Sequence, residues 1–254
     1  MATKLSSYLG QLDGELRFEP TSKRVHALLD GHPVLDSRGA VLVWEPRRRV
    51  PCYAVPADGV LGVLSPAAPV DVDMPAPPVL HPGIPFSTHS TPGTVLDVSA
   101  GGQTAEGAAF RFDDPDLVGF VAFDPHAFDW WEEDEPVQAH PRSPFHRVDI
   151  RHGSRHVRVS AGGAVLAEST SPLVVFETGM PERIYLPPAD VDWEQLIPTD
   201  SETLCPYKGA ASYWRLAGGS GEDMAWSYVE PLPPAAEMAG YLCFYDNLTE
   251  VEEL

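Results

Sequence analysis

Along this chain apolar residues either alternate with polar ones or form runs of four to six, closed by Gly, Pro, Asp or Ser. Alternation is the period of a strand whose two faces meet different surroundings; a helix repeats its apolar positions three and four apart. HVRVSAGGAVLAES (156–169) predicts a strand, a glycine hairpin turn and a second strand. LVVFE (173–177), RIYLP (183–187), ASYWRL (211–216), MAWSYV (224–229) and GYLCFYD (240–246) predict more short strands. AGGSGED (217–223) reads as a hairpin loop. The one helical period is short, over residues 3–12. The proline-rich LSPAAPVDVDMPAPPVLHPGIP (64–85) reads as an irregular surface loop. The pattern therefore predicts an all-β protein.

The pattern also repeats. Shifted by 132 residues, the stretch 25–58 lies on 157–190 without a gap and with nine identities, including Glu45/Glu177, Tyr53/Tyr185 and Asp58/Asp190. About two identities are expected by chance. LVGFVAFDP (117–125) matches MAGYLCFYD (238–246) at an offset of 121. The expectation is two tandem copies of about seven strands each. They span 14–134 and 146–254, with a linker at 135–145.

Composition narrows the partners. The 254 residues carry a net charge of −20, which opposes binding to nucleic acid or an anionic membrane. No run approaches 18 apolar residues, and the start, MATKLSSYLGQLDGEL, has no apolar core of signal-peptide type. Three widely spaced cysteines without C-x-x-C fit a reducing compartment. The expectation is a soluble cytoplasmic protein. Arg142, Arg147, Arg151, Arg155 and Arg158 concentrate between the copies, either balancing nearby acid or lining an anion pocket. The spacing of His140, His146, His152 and His156 is a weak metal signal, and no metal is expected.

SPLVVFE (171–177), RIYLPPADV (183–191), TLCPYKGAASYW (203–214), AWSYVEP (225–231) and AGYLCFYD (239–246) occur in order. Together they resemble the family catalogued as domain of unknown function 427. The resemblance covers the second copy; the first matches at its ends and has no C-P-Y-K-G. It implies a β-tent-like fold, two antiparallel sheets leaning over a cleft, and brings no settled activity. The C-x-x-C pairs that carry zinc in relatives of that fold are absent. One profile name hints at nucleotidyl transfer, which needs paired carboxylates beside a glycine turn. D-x-D occurs at Asp71–Asp73 and Asp190–Asp192 without that turn, and no phosphate-binding glycine motif is present.

Residues shared by both copies read as fold-keeping; Cys205, Tyr207, Lys208, Tyr213, Trp226 and Arg183 belong to the second copy alone. The leading expectation is a protein that binds a small polar or anionic metabolite. Its site lies in the second copy's cleft or at the junction of the copies. Arg183 and Lys208 contact the anion, while Tyr185, Tyr207, Tyr213 and Trp226 form the walls. The alternative is an enzyme using Cys205 or Glu177 as nucleophile or base, with Lys208 three residues from the thiol. A scaffold protein is the third possibility. The sequence names no cofactor.

Overall fold

The computed structural model describes residues 2–68, 79–219 and 221–254. Contacts divide the chain into two units, residues 1–143 and 144–254. Each is mostly antiparallel β-sheet. In the first unit a short helix, α1 (Leu5–Gln11), precedes β1 (Arg17–Pro20), β2 (Val25–Leu29), β3 (His32–Ser37), β4 (Val41–Trp44), β5 (Cys52–Pro56) and β6 (Val63–Pro66). Then come β7 (Gly93–Ala100), β8 (Gln103–Phe112), β9 (Phe120–Phe123), β10 (Asp129–Glu132) and β11 (Glu135–Pro136). The second unit has β12 (Val148–His152), β13 (Val157–Ala161), β14 (Ala164–Ser169), β15 (Leu173–Glu177) and β16 (Arg183–Leu186). It continues with β17 (Leu196–Cys205), β18 (Gly209–Leu216), β19 (Ala225–Ser227), β20 (Leu242–Phe244) and β21 (Glu250–Glu253). Among the described residues no helix is long and apolar enough to cross a membrane.

Each unit has a seven-stranded sheet. The order is β1-β4-β5-β9-β8-β7-β6 in the first and β12-β15-β16-β20-β19-β18-β17 in the second. A smaller sheet accompanies each, β11-β10-β2-β3 and β14-β13-β21. The 156–169 segment forms the expected hairpin, β13 and β14, with Gly162 and Gly163 at φ 59° and 85° in the turn. Part of the 64–85 loop differs from expectation, because residues up to Pro66 form β6 and pair with β7. Asp71 and Asp73 lie outside the described residues. Glu135 and Pro136, expected in a linker, pair with β10.

Strand alternation puts one face of the second large sheet against the small sheet. Leu186, Ala225, Leu242 and Phe244 meet Val157, Val159, Leu166 and Ala167 there. The other face carries Leu173, Val175, Tyr185, Tyr213, Trp226 and Cys243, with Ala235 and Met238 of a 3-10 turn in the same cluster.

The first unit differs at one informative point. Leu173 pairs with Tyr185, but its counterpart Val41 pairs with Ala54 and not with Tyr53. Nine steps separate Glu45 from Ala54, whereas eight separate Glu177 from Tyr185. The extra residue falls in the turn after Glu45, where Arg47 takes a φ of 66°. A one-residue slip reverses the faces. Tyr53 therefore points into the core shared with the small sheet and donates its hydroxyl to Glu132, while Tyr185 points to the opposite face. The two tyrosines match in sequence without sharing a position, and each is fully buried in a different core cluster.

Candidate functional site

Glu177 ends β15 and Lys208 precedes β18. Lys208 is delivered by the Cys-Pro-Tyr-Lys-Gly turn, and Gly209 makes the delivery possible. Its φ is 107°, and a Cβ there would stand 3.3 Å from Leu232 N and 3.4 Å from Glu230 O. The Lys208 carbonyl accepts a hydrogen bond from Leu232 N at 3.0 Å, which ties the turn down. Lys208 Nζ then donates to Glu177 Oε2 at 2.5 Å and lies 5.7 Å from the Tyr228 ring centre. His146 Nε2 stands 2.9 Å from Glu177 Oε1, with its ring tilted over Tyr207 at 4.3 Å.

Burial works against ionisation of Glu177. The His146 hydrogen bond and the charge and hydrogen bond of Lys208 outweigh it and take the carboxyl down to about 2. An ionised carboxylate only accepts, so His146 Nε2 carries the proton in that contact. Nδ1 has no hydrogen-bond partner among the described residues. Glu177 thus orients a histidine whose second nitrogen is available, the arrangement of a carboxylate–imidazole dyad.

The first unit builds a related cluster by different means. Arg48 Nε lies 3.1 Å from Glu45 Oε1, His89 Nδ1 lies 2.9 Å from the same oxygen, and Ser90 N donates to Oε2 at 2.8 Å. Val95 pairs with Phe110 as Tyr213 pairs with Trp226. The segments leading into β7 and β18 each supply partners of the glutamate, His89 and Ser90 in the first unit and Lys208 in the second. Accessibility separates them. Side-chain exposure is 1%, 7% and 6% for Glu45, Arg48 and His89, against 17%, 11% and 23% for Glu177, Lys208 and His146. The first cluster is the more deeply buried, with only Arg48 bordering a pocket; the second opens to solvent on its histidine side.

Of the sequence-chosen residues, Tyr185, Tyr213 and Trp226 share one cluster, with half-buried Cys205 packed against it. Trp226 Nε1 donates to the Tyr185 hydroxyl at 2.9 Å, and Thr203 Oγ1 lies 2.7 Å from the Tyr213 hydroxyl. Arg183 joins the same face, 5.8 Å from the Trp226 ring centre, but it is ion-paired to Asp246 at 3.1 Å. A pocket of about 200 Å³ lies against Arg183, Asp246, Glu182 and Cys243. Both cations proposed for an anion therefore already face carboxylates. Cys205 makes no hydrogen bond to Glu177, His146 or Lys208 among the described residues.

The basic stretch at the start of the second unit is largely neutralised. Arg147 pairs with Asp149, Arg155 with Glu182 and Arg158 with Glu168. His146, His152 and His156 face three different carboxylates, Glu177, Glu237 and Glu168. Among the described residues no group of three His, Cys, Asp or Glu is placed to hold a metal ion.

Sequence reasoning weighed His146 within a weak metal spacing and passed over Arg48 and His89. The signal for His146 lay in its spacing, two residues before the strand that pairs with LVVFE. His89 could have been found by aligning strand registers instead of identities.

The second unit is thus an antiparallel β module with a polar glutamate–lysine–histidine cluster beside an aromatic sheet face. Residues 149–254 match the model of the family described as Domain of unknown function (DUF427), so this unit is a member of that family. No curated protein matches the chain.

Proposed function

We propose that the second unit binds a small polar or anionic metabolite, anchored by His146, Glu177 and Lys208 and bounded by Tyr207 and Tyr228. The two units are tandem copies of one module in a cytoplasmic protein, and the first copy has buried the histidine of its equivalent cluster. One observation carries this reading. A glutamate–cation–histidine cluster has its histidine buried in one unit and accessible in the other. Breaking a buried ion pair is costly, but replacing the whole pair by well-packed apolar residues is often neutral or stabilising, so the fold alone does not require one. Its accessible form, with a histidine nitrogen left unpartnered, suits a ligand better than a scaffold.

Since Lys208 and Arg183 are each balanced by a carboxylate, recognition is led by hydrogen bonds and aromatic contact, with net charge secondary. The His146–Glu177 dyad favours catalysis as a second reading, with His146 as general base. Nucleotidyl transfer gains no support, since Asp192 uses its carboxylate to cap the Glu194 N–H at 3.2 Å. Thermal-shift screening of polar metabolites against wild type and His146→Gln tests the proposal. A ligand should stabilise wild type by several degrees and the variant by less. If no compound discriminates between them, the proposal fails.

A further inference from the structure

We propose that the first unit holds a separate site for a small carboxylic acid with an apolar body, in the pocket floored by Arg48. The inference is independent of the second unit's function. The pocket measures about 190 Å³. An apolar cavity of about 150 Å³ accommodates benzene, so this one takes a single ring with one or two small substituents. Val50, Pro51, Ile84, Pro85 and Phe86 make most of its wall apolar, and Arg48 and Asp124 supply charge.

Arg48 is held for such a task. Its side chain is more than nine-tenths buried. Nε is fixed by Glu45, Nη2 donates to the Thr88 carbonyl at 2.6 Å, and the guanidinium carbon sits 5.9 Å from the Phe86 ring centre. Nη1 has no hydrogen-bond partner among the described residues. Glu45 is also satisfied by His89 and the Ser90 N–H, so the Arg48 charge is not consumed by its one carboxylate. A guanidinium immobilised in advance binds a carboxylate without further loss of side-chain freedom, and the low-dielectric wall strengthens the contact. Asp124 accepts from the His126 N–H at 2.8 Å through Oδ1 alone. Its other oxygen favours a ligand with a hydroxyl or amine away from the carboxylate.

Benzoate, 4-hydroxybenzoate and phenol are suitable probes, titrated into the full chain and followed by amide chemical shifts. Benzoate should saturate with a dissociation constant of about 1 mM or tighter, shifting Phe86 and His126. 4-Hydroxybenzoate should bind more tightly, and phenol at least about tenfold more weakly, since it lacks the charge that meets Arg48. Ile84→Trp fills the pocket while leaving the Glu45 cluster intact and should abolish benzoate binding; Val50→Phe replaces it if that variant misfolds. The proposal is overturned if benzoate does not saturate, if phenol binds equally well, if a folded blocking variant keeps its affinity, or if the shifts fall in residues 144–254.

Discussion

Replacing Lys208 by methionine keeps the length of the side chain and removes its charge. In the folded protein the Glu177 carboxyl is taken from 4.5 down to about 2. A drop of that size corresponds to about 3 kcal/mol of stability. Lys208 supplies part and His146 the rest, so Lys208→Met should cost about 2 kcal/mol at pH 7. For a unit of this size that lowers its melting temperature by about 10 °C. The pH dependence carries the sharper signature. A depressed carboxyl contributes its full stability above the unfolded value and loses it as pH falls toward the folded one. Wild type should weaken between about pH 5 and pH 2, while the variant, whose Glu177 titrates closer to normal, weakens less. Urea unfolding followed through the amide signals of β18 reports the second unit by itself. A gap between the two proteins that stays constant from pH 7 to pH 3 refutes the reasoning, as does a cost below about 0.5 kcal/mol.

Other consequences are equally direct. Iodoacetamide at neutral pH should modify Cys205 alone in the native protein, because Cys52 and Cys243 are buried and burial pushes the Cys52 thiol up to about 12; mass spectrometry showing early labelling at either site contradicts the packing. Tyr185→Phe should cost about 1–2 kcal/mol by stranding the Trp226 N–H, measured by urea denaturation. Gly209→Ala should destabilise the second unit by about 1–2 kcal/mol through its positive φ, and circular dichroism melting will show a lowered transition.

Much of the fold was legible because its signals are local. Period-two alternation and Gly-Gly at 162–163 specify the β13–β14 hairpin whatever surrounds it. The adjacent Tyr213 and Trp214 do face opposite ways, one into each core cluster. What stayed hidden depends on register. Tyr53 and Tyr185 align in sequence, yet an extra residue in one turn sends them to opposite faces, and no residue identity reports that slip. The site was half legible for the same reason. Lys208 and Glu177 were both singled out, but their contact joins a loop to a strand end 31 residues away. His146 lay in a stretch whose charges suggested a linker, and only pairing of β12 with β15 carries it to Glu177.

The central claim is that the histidine of the glutamate cluster is open to a ligand in the second unit and buried in the first. Histidine ring signals, followed by long-range proton–nitrogen correlation during addition of a stabilising metabolite, test it most directly. The account predicts that the His146 resonances move and saturate with the ligand while those of His89 stay fixed. Unmoved His146 resonances under a ligand that stabilises the protein, or equal movement of both histidines, would contradict it.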